Sequence, residues 1–212
     1  MRLTYIIALF LLTACGKVNP PVKVFEPSKL PLDKIRLPQG FKIEVFAEGV
    51  KNARSLELSP GGTLFVGTRG EGKVYALNDS DGDFRADTIY TIAKGLKMPN
   101  GVAFRDGHLY VAEVSRILKF ENIEDNLGTT PEPVVVFDNY PSETHHGWKY
   151  IAFGPDGKLY VPVGAPCNIC ESDDEVFASI TRLNPDGTGM EIVHRGIRKP
   201  ANCGLPTTAA TG

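Results

Sequence analysis

The chain has almost no net charge: 23 Lys and Arg stand against 25 Asp and Glu, a formal −2. It lacks the basic excess with which proteins grip nucleic acid or an anionic bilayer surface, and neither partner is expected. Its N-terminal apolar run, Tyr5 to Leu12, is too short to span a bilayer. The four cysteines include one close pair, Cys167-x-x-Cys170. No His follows it, which argues against covalent c-type haem, and no second pair completes a zinc site. What is plentiful is Gly and Pro, 22 and 16 residues, recurring as punctuation between short apolar runs. That composition belongs to a turn-rich β protein rather than a helical one.

Residues 1–14 read as a targeting segment. Arg2 precedes the apolar run, which ends in Leu12-Thr13-Ala14-Cys15-Gly16. This resembles the bacterial lipoprotein lipobox, in which the Cys is lipidated after cleavage just before it. An ordinary secretory signal with an incidental Cys is the alternative. Several acyl chains on Cys15 would anchor the protein on the periplasmic side of a bacterial membrane, with no other membrane contact. Residues 15–37, punctuated by Pro20, Pro21, Pro27 and Pro31, then form a stiff tether.

Residues 38–200 repeat one unit. Ser59-Pro60-Gly61-Gly62-Thr63-Leu64-Phe65-Val66, Arg105-Asp106-Gly107-His108-Leu109-Tyr110-Val111 and Pro155-Asp156-Gly157-Lys158-Leu159-Tyr160-Val161 align, with Leu64, Leu109 and Leu159 spaced by 45 and then 50 residues. Each segment follows an apolar strand (56–58, 102–104, 151–153). Its Asp-Gly or Gly-Gly pair supplies the positive φ of a tight turn. A third strand follows at 73–77, 116–120 and 179–183, and a fourth at 88–92, 133–137 and 190–193. Four short antiparallel strands at this period make one propeller blade. The expected fold is therefore an all-β propeller, with three blades present and an extra strand at Phe41 to Ala47. An open arc would leave apolar faces bare.

The segment His145-His146-Gly147-Trp148-Lys149-Tyr150-Ile151-Ala152-Phe153-Gly154-Pro155-Asp156-Gly157 resembles the signature of the quinoprotein (PQQ-dependent) glucose and sorbosone dehydrogenases. Gly164-Ala165-Pro166-Cys167-Asn168-Ile169-Cys170 points to the sorbosone-type branch. The resemblance implies a six-bladed ring binding PQQ and calcium, which oxidises a sugar, an aldehyde such as sorbosone, or a related alcohol and passes electrons to a respiratory acceptor. It places the catalytic base seven residues before Phe153, at His146, with His145 where glucose dehydrogenases carry an acidic neighbour. It places Arg198 at a cofactor-contacting Arg, with Lys199 replacing the Asn that normally follows. Asn100 falls on a contact of the substrate pocket beside Pro99, and Trp148 beside the base. An imidazole can take a hydroxyl proton near neutral pH, and a tricarboxylate calls for cations. Each residue also has a plain structural reading: loop histidines that hydrogen-bond a blade, a solvated arginine, a buried blade tryptophan.

Two motifs stand apart. Asp79, Asp81, Asp83 and Asp87 surround Gly82, a density of hard oxygens that suits calcium. The glycine comes too early for an EF-hand and no Glu closes the loop, so a solvated turn is the alternative. Cys167 and Cys170 read as a disulfide in an exported protein, with zinc and thiol redox as rivals.

The resemblance stops after Arg198. Asn202 to Gly212 can be encoded so that a shifted frame reads Leu-Trp-Phe-Thr-Asp-Asn-Gly-Arg-Asp-Gly, which resembles a strand of the same family. Residues 201–212 are thus expected to be a frameshifted tail, or else a divergent C-terminus. The expected function is the N-terminal part of a PQQ-dependent dehydrogenase, inactive as a fragment. The alternatives are an exported non-catalytic binding propeller and a lactonase-type propeller hydrolase. Changing Cys15→Ser is expected to leave a precursor that is neither cleaved nor lipidated. Mass measurement of the mature N-terminus checks this, and a mature chain beginning elsewhere refutes the lipobox.

Overall fold

In the computed structural model, residues 30–129 and 131–199 are described; the signal, Cys15 and the whole tail after Lys199 lie outside them. The repeats fold as three antiparallel meanders. The first contains β1 (Ala53–Leu58), β2 (Leu64–Thr68), β3 (Val74–Asn78) and β4 (Thr88–Ala93). The second contains β5 (Gly101–Arg105), β6 (His108–Ala112), β7 (Ile117–Phe120) and β8 (Val134–Phe137). The third contains β9 (Ala152–Phe153), β10 (Leu159–Val163), β11 (Ser179–Leu183) and β12 (Glu191–Arg195). Pairing runs in chain order within each sheet. The tightest hairpin joins Arg105 to its partner His108 through Asp106 and Gly107, at φ 50° and 82°. That left-handed pair is the backbone an Asp-Gly turn supplies at low cost.

Side-chain alternation decides how the sheets stack. Along β6, Leu109 and Val111 enter a core with Phe65, Val74, Ala76 and Ile92 of the first sheet. Their neighbours Tyr110 and Ala112 enter a second core with Ile151, Leu159, Val161 and Leu183 of the third. With the period of two in a strand, one sheet thus buries both faces between two partners. The inner strands β1, β5 and β9 touch in sequence, which makes the sheets blades about an axis. The architecture is a β-propeller arc.

Phe41 to Ala47 was expected to be a strand and carries no ladder. A strand needs a partner, and none among the described residues lies beside it. Instead the Ala86 N–H donates to the Phe46 carbonyl at 2.8 Å. Phe46, Ala47 and Val50 pack on the outer face of the first blade, over Val66, Tyr75 and Leu77. Leu56 and Leu58 on that face stay 56% and 65% exposed.

Up-and-down strands sort their connections to two ends. One end collects the β2–β3, β4–β5, β6–β7, β8–β9 and β10–β11 loops and the segment after β12. The other collects the hairpins, including the β3–β4 loop. At the first end the blades approach closely: a Cβ on Gly67 would collide with the Asn100 carbonyl. Gly67→Ala is therefore expected to cost on the order of 1–3 kcal/mol in urea unfolding. Gly128→Ala, with nothing within 4 Å, is expected to stay within about 0.5 kcal/mol. Equal effects would show that the contact does not constrain the blades.

Candidate functional site

The β8–β9 loop carries the histidines, and its backbone is forced. Gly147 turns so tightly that a Cβ would strike the Glu143 carbonyl, and its N–H closes on the Thr144 carbonyl at 3.1 Å. His146 sits just before it at φ 53°, a left-handed conformation rare for a residue with a Cβ. Strain of that kind persists only where the surroundings hold it. Here they do: His146 is buried, Gly164 lies flat against its backbone, and Nδ1 is 3.1 Å from the Ala165 carbonyl. A carbonyl only accepts, so Nδ1 carries the proton and, in the neutral ring, Nε2 is left as the basic nitrogen. The His145 ring lies 4.2 Å from that of His146, and its Nε2 donates to Asn168 Oδ1 at 3.2 Å. Asn168 stands between Cys167 and Cys170, which form a disulfide in the structure.

Ala165 also ties this loop to the end of the third blade, since its N–H donates to the Arg198 carbonyl at 2.7 Å. That contact brings in the cations. The guanidinium of Arg69, from the β2–β3 loop, lies 3.7 Å from the centroid of Trp148. Lys199 Nζ lies 3.2 Å from it. Burial, with Arg69, Arg54 and Arg198 close by, pushes the Lys199 amine below its ordinary range. Among the described residues no ion pair joins these four cations to a carboxylate. Like charges held together without acids form a site that favours an anion, and the guanidinium forks suit carboxylates.

Asn100 does not present its amide outward. Nδ2 donates to the Lys149 carbonyl at 2.7 Å and to Ser55 Oγ at 3.2 Å, inside the buried joint of the three blades. Both donors are spent, so the expected ligand contact becomes a structural bond. The aspartate loop lies at the other end of the arc, in the β3–β4 connection. Asp79, Asp81 and Asp87 cluster there and Asp83 does not join them. Their oxygens accept from the loop itself: Asp79 from the Gly82 and Phe84 N–H groups, Asp87 from Ser80. The expected calcium loop is thus remote from His146.

Arg54, Arg69 and Lys149 escaped the sequence reading. Lys149 is 1% exposed, and its Nζ reaches only the Gly147 carbonyl at 3.4 Å and the Tyr140 ring at 5.1 Å. Lysine is among the residues least often buried, and nothing local in the sequence marks this one. Burial pulls its pKa from 10.5 down to about 8 and pushes the Tyr140 hydroxyl up.

Fold and site define a propeller with an imidazole and a cluster of cations about a tryptophan at one end. The chain belongs to the family described as a domain of unknown function (DUF7133), whose model matches residues 27–203. It is 26% identical over 175 residues to an uncharacterized protein from Borreliella burgdorferi, covering 77% of this chain and 44% of that one. The PQQ-bound aldose sugar dehydrogenase from Streptomyces coelicolor superposes with a TM-score of 0.55 at 23% identity, over 68% of this chain and 48% of that chain. A calcium structure of a Trichoderma reesei carbohydrate-active enzyme of family AA12 gives a TM-score of 0.58 at 17% identity, over 84% and 42%. The holo PQQ domain of Coprinopsis cinerea pyranose dehydrogenase gives 0.55 at 14% identity, over 65% and 34%. The chain spans less than half the length of each of these proteins, and what it shares with the solved structures is the fold.

The buried amine gives a stability prediction with a definite sign. Its folded pKa lies below its unfolded value, so between about pH 8 and 10.5 the unfolded chain binds more protons and stability rises with pH. The gain is on the order of 3 kcal/mol at about 1.4 kcal/mol per pH unit. Lys149→Met is expected to remove this slope and to be no less stable at pH 7. Urea unfolding of both proteins across this range checks it, and parallel curves would refute it.

Proposed function

We propose that these blades form part of a PQQ-dependent dehydrogenase of the sorbosone-type branch, acting on a sugar, a sugar-derived aldehyde or a related alcohol. One observation carries the reading: Arg69 and Lys199 lie against Trp148, with Arg54 and Arg198 near Lys199 and no ion pair to any of the four among the described residues, two residues from an imidazole whose Nδ1 faces a carbonyl. Arg54, Arg69, Arg198 and Lys199 fit a planar tricarboxylate, and Trp148 holds two of these cations in place. PQQ, when bound, supplies the hydride acceptor. His146 Nε2 takes the proton from the substrate hydroxyl, and the Ala165 carbonyl holds Nδ1–H so that the resulting imidazolium keeps its place. His145 packs beside it and orients through Asn168. Among the described residues no three carboxylates cluster at this end, so no calcium site is assigned here and no step is routed through the ion.

The remaining cofactor contacts and any calcium ligands belong to further blades of a ring, and the 212-residue chain alone is inactive in this reading. The enzyme is held by Cys15 on the periplasmic side of a bacterial membrane and passes its electrons to a respiratory carrier. The arc leaves Leu56 and Leu58 bare where a neighbouring blade would pack.

Titrating PQQ while following the fluorescence of Trp148, the single tryptophan, tests the pocket. Arg69→Ala and Lys199→Ala are each expected to weaken binding about tenfold, since a charge-assisted contact contributes roughly 1.5–3 kcal/mol. In a ring-complete protein, His146→Ala is expected to keep PQQ bound and lower dye reduction a hundredfold or more. Binding without turnover would indicate a binding module, and lactone hydrolysis without PQQ a hydrolase; either outcome overturns the reading.

A further inference from the structure

We infer that Lys149 is a positioning residue for the His146–Trp148 loop, an assignment that rests on the dehydrogenase reading. Lys149 lies three residues beyond His146 and faces back into the loop. Its ammonium donates to the Gly147 carbonyl at 3.4 Å, the first carbonyl after His146, and lies 5.1 Å from the Tyr140 ring. Its own carbonyl takes Asn100 Nδ2 at 2.7 Å, and Asn100 holds Ser55 of β1. The Tyr140 hydroxyl bonds Thr181 Oγ1 at 2.8 Å, and Thr181 donates to the Val161 carbonyl at 2.9 Å. One lysine is thus braced against all three blades. From that frame it aims the Gly147–Trp148 peptide, one residue beyond a left-handed His146.

Stability alone does not call for a charge there. The side chain is fully buried, no carboxylate pairs with it among the described residues, and an apolar chain of similar length would fill the same space at lower cost. What an apolar chain would lack is a donor for the Gly147 carbonyl. With that carbonyl free to rotate, the ψ of Gly147 and the φ of Trp148 are no longer fixed, and the turn that follows His146 loses its support. The Nδ1 contact to Ala165 and the stacking of Trp148 under Lys199 then lose their common reference.

The test compares Lys149→Met, which removes the donor, with Lys149→Gln, which keeps a neutral one. Two signals are read in the full chain: Trp148 emission and the His146 Cε1–H resonance. Met is expected to shift both while the urea midpoint holds or rises, and Gln is expected to restore them towards wild type. In a ring-complete protein, Met should lower kcat on the order of tenfold to a hundredfold, with the affinity for PQQ changed less. Unshifted signals in the Met variant overturn the inference, and so do shifts that Gln does not restore, which would mark a packing role. Spectral shifts with Gln rescue in a protein that never turns over would preserve the positioning role and refute the dehydrogenase reading instead.

Discussion

A four-stranded blade has two apolar faces and no helix to cover either, so it is stable only between neighbours. The middle blade meets this demand with strict alternation. Leu109 and Val111 go one way, Tyr110 and Ala112 the other, and all four are almost fully buried. The rest of the arrangement follows from that stacking. Blades pressed together about an axis bring their entry loops to one end, where the backbones come so close that Gly67, Gly101 and Gly147 have no room for a side chain. Residues far apart in the chain meet there: Arg69 from the first blade, Trp148 from the loop entering the third, Lys199 from beyond it.

The repeat was legible because each blade announces itself locally. A leucine-centred strand after an Asp-Gly or Gly-Gly turn is encoded within a dozen residues, and the blade strands fall within about three residues of their expected ends. Ser179–Leu183 matches at both ends. Phe41 to Ala47 looked like a strand because its apolar content suits one. Pairing, though, is a property of two segments, and this one found a side-chain face before it found an edge. Asn100 shows the same limit in another form. Its place in the motif pointed to a ligand, while its amide is consumed by Ser55 and Lys149.

His146 stood out as a candidate because residue type, spacing and the following glycine all sit in one loop. The electrostatics around it did not. Arg54 and Arg69 precede the motif by many residues, and nothing near them distinguishes them from other surface arginines. Their meaning comes from company: Arg69 shares an indole with Lys199, and burial with repulsion from Arg69, Arg54 and Arg198 lowers the amine's affinity for its proton. The aspartate loop is the converse. Its local density of carboxylates was conspicuous, yet the oxygens are occupied in closing their own turn, and the fold carries them to the other end.

The meander has a consequence for how such a chain acquires its shape. Among the described residues every ladder joins strands adjacent in sequence, so none of these pairings waits for a distant segment to arrive. Loop closures are short, and the entropy lost before each contact is small. Blades can therefore form in the order in which they are synthesised, each finished blade offering a face on which the next condenses. The bare row of Leu56 and Leu58 belongs to the blade made first. In that order of assembly it stays uncovered for longest, and it is the surface most in need of protection while the chain is being made.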